Sequence, residues 1–556
     1  MRILILGGYG TFGGRLAQLL ADEARLTLLI AGRSRTKAEA FCAALGGAAS
    51  AIPTVFDRER DIEPQLQAVK PDLVIDASGP FQGYGVNPYR VVEAAITLGI
   101  HYLDLSDGAS FVRGIASFDV AARGRGVFVL SGVSSCPVLT AAVVRRLSAG
   151  MTRVDAIAGG IAASPYAEFG RNVIRAITSY AGRPVALLRD GRKTTAHAIM
   201  DSRYFTIAPP GRLPLYARRL SLVEVPDLTL LPALWPSLRT VWMGVGTVPE
   251  IWLRGLNALA WLVRLRLLPS LTAFTTLIHN TYTRLSWGEH RGGMFVTVEG
   301  TLADGSKVER SWHMIAEGDD GPFVPSMAAE TIVRHCLAGR PPAPGARVGV
   351  NDVELADYEA TFARRRIVTG TRQTPRPGEP LFRRILGDAY PLLPQPIQVM
   401  HDFKRDLTAA GVASVERGKS LLSRLLAWVM GLPPAGEDVA VKVTFSVGDG
   451  REHWQRDFAG KRFASTQREG QGRNARLVCE RFGPINFAMA LVIESERLRL
   501  VLRRWSIFGV ALPLWLGPRS NAYEHVEDGR FRFHVEVSHP ATGLIVRYRG
   551  WLVPQA

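Results

Sequence analysis

Cysteine is scarce in this chain. There are four in 556 residues (Cys42, Cys136, Cys336 and Cys479), far apart and never as Cys-x-x-Cys. That excludes a disulfide framework and a cysteine zinc site, and it fits a reducing compartment. A cytoplasmic location is therefore expected, with peripheral attachment at the inner membrane surface left open. The 11 histidines show no metal-ligand spacing either, so no metal is expected. No charge-free apolar run reaches the ~18 residues a spanning helix needs. Met1 runs straight into a strand-like segment, so no signal peptide is expected. RNP segments, zinc fingers and long basic blocks are all missing, so nucleic acid is not an expected partner, despite a net charge of +17. No Ser-x-x-x-Tyr-x-x-x-Lys pattern is placed to serve short-chain dehydrogenase catalysis.

What is present is globular: 47% hydrophobic and 21% charged residues, long enough for two to four domains. The chain begins with a strand-like Arg2–Leu6, the turn Gly8-Tyr9-Gly10-Thr11-Phe12-Gly13, and a helix-forming Arg15–Leu20. Strand, glycine turn and helix in that order suit a dinucleotide. Gly8 allows the turn, Gly10 lets backbone approach a pyrophosphate, and Gly13 lets helix lie close to strand. The pyrophosphate then meets the positive end of the helix. Buried-strand segments 26–31, 51–56, 73–78 and 127–130 alternate with helices over 36–45, 62–69 and 89–98, the rhythm of a doubly wound parallel sheet.

At the end of the second strand, where NAD sites present a carboxylate to the ribose, the chain reads Gly32-Arg33-Ser34-Arg35, with Lys37 following. Cations and a hydroxyl suit a 2′-phosphate, so NADP(H) is expected over NAD(H). Asp57, past the third strand, can bond the adenine amine. The small-residue cluster Ala77-Ser78-Gly79-Pro80 and Ser134-Ser135 can close over ribose and nicotinamide.

From about residue 136 the pattern changes to longer alternating strands (156–162, 294–302, 307–316), as in an α+β substrate domain. The apolar, Trp-rich stretch 228–283 reads as a helical hairpin, either buried or resting on a bilayer. Residues 327–337 read as a helix returning to the first domain, and the Pro/Gly-rich segment after Thr369 as a linker. Seven β-like segments follow between 439 and 552, the spacing of an antiparallel barrel or cup. A basic, apolar helix over 417–430 either packs on its own domain or rests on anionic lipid. The expected organisation is a Rossmann domain over 1–135, completed by about 325–367; an α+β substrate and dimerisation domain over 136–324; a linker over 368–381; and a β-rich domain over 382–556.

Four segments, Gly8–Gly13, Asp76-Ala-Ser-Gly-Pro-Phe81, Gly99-Ile-His-Tyr-Leu-Asp-Leu105 and Ser134-Ser-Cys-Pro137, resemble the saccharopine dehydrogenase-like NAD(P)-binding oxidoreductases over residues 1–367. The tail, in Arg481-Phe-Gly-Pro484 and Ser538–Trp551, resembles a domain of unknown function (DUF4166) fused to such reductases. The resemblance implies an NAD(P)-dependent hydride transfer on a small molecule, apolar or acidic. The catalytic candidates are His101 and Asp104, read as a proton-handling dyad in a loop at the sheet edge. Asp107, Arg171, Arg175 and Tyr180 are candidates for meeting substrate, and a homodimer is an open alternative. The rival reading is a cofactor-bound or lipid-surface protein without turnover.

Overall fold

The computed structural model describes residues 1–376 and 378–555, with the side chain of Val429 left aside; Pro377 of the linker segment lies outside the described residues. The chain divides into two compact units, residues 1–203 with 219–369, and residues 204–218 with 370–556.

In the first unit, Ile3, Leu4 and Ile5 are fully buried in β1 (Arg2–Leu6), an interior strand of an all-parallel sheet. The chain continues through α1 (Thr11–Leu20), β2 (Thr27–Gly32), α2 (Arg35–Ala44), β3 (Ser50–Val55), α3 (Ile62–Val69), β4 (Leu73–Asp76), α4 (Arg90–Thr97), β5 (His101–Asp104) and β6 (Phe128–Ser131). The order across the sheet is 345–348, β6, β5, β4, β1, β2, β3. Strands buried on both faces read as continuous apolar runs, which is why they were visible in the sequence. Two were not: β5 falls where a loop was expected, and the edge strand Gly345–Val348 arrives more than two hundred residues after its neighbour β6. That strand is only four residues long and carries an arginine, too little pattern to notice.

The same unit holds a mixed sheet. Strand 240–247 runs parallel to Met151–Ala163, which pairs antiparallel with Arg291–Leu302, itself paired with Lys307–Glu317. The expected helical hairpin over 228–283 is thus interrupted by a buried sheet strand. Val241 and Trp242 in it are fully enclosed. The flanking helix Glu250–Arg264 is 15 residues, and among the described residues no helix is long and apolar enough to cross a membrane. The returning helix, Val324–Leu337, lies against α1, where the Ser326 hydroxyl donates to the Phe12 carbonyl at 3.0 Å.

The second unit is built on a ten-stranded, up-and-down antiparallel barrel. Its strands are 407–417, 436–448, 451–458, 461–469, 478–482, 485–494, 497–507, 519–527, 530–539 and 543–554. Each pairs with the next, and the last returns to the first with Val412 opposite Trp551. The short helices Leu381–Leu386 and Gln395–His401 share one apolar cluster with the barrel, including Phe382, Ile397, Phe445, Met489 and Phe531. The segment expected as a linker starts inside a strand, Ile367–Gln373, and Leu381 already opens the first of these helices.

The turn between β1 and α1 leaves no room for side chains. A Cβ on Gly13 would collide with the Gly7 carbonyl oxygen, and one on Gly8 would stand 2.8 Å from the Ile5 carbonyl. Gly13→Ala is therefore expected to destabilise the first unit by about 1–3 kcal/mol, the usual cost of forcing atoms into a filled site. Urea unfolding would show it, and an unchanged midpoint would mean α1 can move away freely.

Candidate active site

One cavity of about 720 Å³ opens over the carboxyl ends of β1 and β4, where ligands bind in open α/β sheets. Its first wall is the glycine turn: Gly7, Tyr9, Gly10, Thr11 and Phe12 line it, while Gly8 and Gly13 stand behind as packing positions. Gly7, which the glycine pattern overlooked, adopts φ +71°, and a Cβ there would sit 2.9 Å from the Ala77 carbonyl. Gly10 donates back to the Gly7 carbonyl at 2.8 Å, and α1 begins with neither a side-chain cap nor an acidic residue. The N–H groups of Thr11, Phe12 and Gly13 have no acceptor among the described residues. Three free donors at a positive helix end, over a floor bare of side chains, fit a pyrophosphate.

The second wall is set by β2 and β3. Arg33 is exposed and lines the cavity with no ion pair among the described residues. Ser34 instead caps α2, its hydroxyl accepting the Lys37 N–H at 3.4 Å, and its own N–H donates to the Tyr9 hydroxyl at 3.0 Å. Neither Ser34 nor Lys37 lines the cavity. Asp57 does, beside Arg58. The Arg58 guanidinium lies 3.0 Å from the centre of the Tyr84 ring, a pair the sequence did not suggest.

Two buried carboxylates hold the next loops. Asp76, at the end of β4, accepts from the N–H and hydroxyl of Ser78 at 2.9 and 2.5 Å and from the Tyr84 hydroxyl at 3.1 Å, fixing Ala77–Pro80 along the cavity. Its register partner on β5 is Asp104. One Asp104 oxygen accepts the N–H groups of Ser106 and Gly132, both at 2.9 Å, and the Ser131 hydroxyl at 3.0 Å. It thereby ties β5 to β6 just ahead of Ser134, Ser135 and Cys136, which line the cavity. Asp104 is wholly buried, and that burial outweighs its three donors and raises its pKa to about 7.

The proposed His101–Asp104 dyad does not form. The two occupy opposite ends of β5, about 10 Å apart at a strand's rise of ~3.3 Å per residue. His101 stacks on Phe128 at 4.1 Å between ring centres and accepts the Phe128 N–H at 3.2 Å, at the amino end of the sheet and away from the cavity. Its pKa is lowered by burial. These are the contacts of a structural side chain.

The inner end of the cavity is apolar. Met243, Met294 and Met314 converge there with Ile161, Phe169 and Ile177. The helix Arg171–Tyr180 closes one side: Arg175 and Tyr180 line the cavity, Arg171 does not. Asn172 ties this helix to the Ala77–Pro80 loop by donating to the Gly79 carbonyl at 2.7 Å. Tyr180 is buried, which raises its pKa, and the Asp107 charge raises it further. Asp107 is exposed where it lines the cavity and accepts from the Gln82 amide at 3.1 Å, and desolvation by the surrounding protein raises its pKa. Cys136 is raised well above an ordinary thiol by burial and by the nearby carboxylates of Asp227 and Asp107. Trp312 and His313, on the strand Lys307–Glu317, are buried and do not line the cavity.

A parallel sheet with a side-chain-free turn, free helix N–H groups and a cavity running on to an apolar chamber defines a class, the NAD(P)-dependent oxidoreductases. Residues 3–123 match the saccharopine dehydrogenase NADP binding domain, and residues 393–552 match a domain of unknown function, DUF4166. The chain carries both. No curated protein matches it. Among solved structures it is similar to apo saccharopine dehydrogenase (L-Glu forming) from Saccharomyces cerevisiae, at 14% identity and TM-score 0.47 over 67% of this chain and 100% of that one. It is also similar to a meso-dapdh mutant from Clostridium tetani, at 13% identity and TM-score 0.31 over 65% and 98%. A biliverdin reductase from Synechocystis matches at 14% identity and TM-score 0.26, over 61% and 92%.

The buried Asp104 makes stability depend on pH. Its folded pKa of about 7 lies above the 3.8 of a free aspartate, so the folded state holds a proton that the unfolded state has lost. Stability therefore falls as pH rises from about 4 to about 7. Asp227, buried and also raised to about 7, adds to the same fall. Asp104→Asn should flatten the fall in urea midpoint over that window, and an unchanged slope would show that Asp104 stays ionised.

Proposed function

We propose that the protein is an NADP-preferring oxidoreductase that transfers a hydride to or from a small, largely apolar molecule bearing a C=O, C=N or activated C=C bond. The observation that carries this reading is the continuity of one cavity, glycine turn at one end and methionine-lined chamber at the other.

A nicotinamide dinucleotide, when bound, would supply or accept the hydride. The residues of this chain hold and orient. Gly7, Gly10 and the free N–H groups of Thr11–Gly13 receive the pyrophosphate, and Ala77–Pro80 with Ser134 and Ser135 flank the ribose and nicotinamide side. Arg33 supports the NADP preference. It is a cavity-lining cation with no internal partner, where an NAD site carries a carboxylate, and a guanidinium pairs well with a 2′-phosphate. Ser34 and Lys37 assist through the α2 amino end rather than by lining the cavity.

In the chamber, Tyr180 is the proton-handling group. Its raised pKa keeps the phenol protonated across the physiological range, so it can donate to a developing oxyanion in a water-poor pocket. Asp107 is the second group, able to take or return a proton near Tyr180. The chamber favours apolar over dicarboxylate substrates. Of the cavity-lining cations, Arg33 and Arg58 stand by β2 and β3, Arg15 donates to the Glu168 carbonyl at 3.3 Å, and Arg175 lies on the helix Arg171–Tyr180. An amino-dicarboxylate needs several cations, and Arg171 is not among the lining residues.

Two measurements test this. Arg33→Ala should weaken NADPH binding by about tenfold or more while changing NADH by less than about twofold, as read by nucleotide fluorescence. Equal losses would remove the 2′-phosphate assignment. With the long-chain aldehyde decanal as probe, NADPH oxidation should occur, and Tyr180→Phe should lower kcat by about 10–100-fold with NADPH affinity intact. Turnover of lysine with 2-oxoglutarate but not of decanal would reject the apolar reading.

A further inference from the structure

The DUF4166 barrel has an end that water should not favour. The helix Leu421–Val429 begins directly after the first barrel strand and packs on the last one through its buried face, with Ser423 and Ala427 inward. Its opposite face is also apolar: Leu421 is 83% exposed, Trp428 76%, and Leu422 and Leu425 lie between them. A surface helix normally turns charges to that side; here Arg424 is the one charge on the helix.

The strand register brings a second apolar element to the same end. Strand 407–417 finishes beside the start of 543–554, whose start pairs with the finish of 530–539, whose finish pairs with Arg519 at the start of 519–527. The hairpin Phe508–Leu516 sits directly before Arg519. Its tip is held to the neighbouring turn by the Phe508 N–H donating to the Pro484 carbonyl at 2.9 Å. In it Phe508 is 84% and Trp515 75% exposed, with Val510, Leu514 and Leu516 also open. The helix packs on strand 543–554 and the hairpin precedes strand 519–527, two places around the barrel, roughly 10 Å at the usual inter-strand spacing. Nine large apolar side chains, two of them tryptophan, thus project from a single rim.

Charge identifies what covers them. Lys419, Arg424, Lys461, Arg481 and Arg519 belong to the same end, all exposed and none in an ion pair among the described residues. The unpaired carboxylates there are Glu437 and Asp438, while Asp457 is engaged by Arg462 at 2.8 Å. Protruding tryptophans and leucines ringed by free arginine and lysine match the headgroup boundary of a bilayer. Indole rings rest at that boundary, aliphatic tips reach the acyl chains, and cations meet lipid phosphate.

We propose that this rim docks the protein reversibly on anionic lipid bilayers, with Trp428 and Trp515 as the inserted anchors. The surface lies wholly within the second unit and does not depend on the oxidoreductase reading.

The test is flotation of the full chain with vesicles of phosphatidylcholine alone and of phosphatidylcholine mixed with phosphatidylglycerol. Binding is expected to the mixed vesicles only, and to weaken with added salt. The double variant Trp428→Ser/Trp515→Ser should bind about tenfold or more weakly with an unchanged melting temperature, because both rings point away from the core. Lys419→Glu/Arg424→Glu should weaken it as well, without touching any tryptophan. Absence of binding to the mixed vesicles overturns the proposal, as does equal binding by the tryptophan variant. A dimer that dissociates on tryptophan replacement, with no vesicle binding, assigns the rim to a second copy of the chain and overturns it too.

Discussion

How closely α1 can lie to β1 governs the first unit. Three backbone segments, the β1–α1 turn, the start of α1 and the end of β4, meet with carbonyl oxygens where side chains would otherwise stand. That contact sets the slope at which the helix leaves the sheet and exposes its first N–H groups. It also leaves a bare floor beside Ala77 and Ser78. Cofactor loops, cavity and chamber inherit their positions from this one close approach, and the helix Val324–Leu337 holds it from outside through Ser326.

A second layer of order comes from acids that would be costly to bury alone. Asp76 and Asp104 sit side by side on adjacent strands; Asp76 collects donors from the loop that follows it, and Asp104 from its own loop and from the end of β6. Their work is to fix loops. A buried acceptor that gathers three donors pins backbone more firmly than apolar packing can, since leaving any donor unmatched carries a penalty. Neither carboxylate lines the cavity itself.

Much of the parallel sheet was legible because buried strands and a glycine turn leave dense local signals. The lining of the cavity was legible where a residue type recurs at a fixed offset from a strand end, as for Gly10 and Arg33, which both line it. It was illegible where roles depend on direction. His101 and Asp104 are three residues apart and looked like partners, yet on a strand they stand at opposite ends of the sheet. The barrel was underread for a related reason. Seven strands were expected, and the three overlooked include 451–458 and 519–527, which are rich in charge. Inside the barrel those charges satisfy one another: Glu480 accepts from Arg456 at 3.0 Å and Ser465 at 2.6 Å, and His401 meets Glu524 at 2.7 Å. Polar residues facing inward erase the alternation by which a strand is ordinarily seen.

The parallel sheet is not contiguous in the chain. β6 ends at Ser131, while the strand that covers its open side begins at Gly345. During synthesis the N-terminal half therefore emerges from the ribosome with one flank of its sheet uncapped. It stays so until the whole intervening region has been made. An unpaired strand edge of this kind invites wrong pairing until its own partner strand has been made. A translational pause late enough for residues 345–348 to have left the ribosome would spare the nascent chain that hazard.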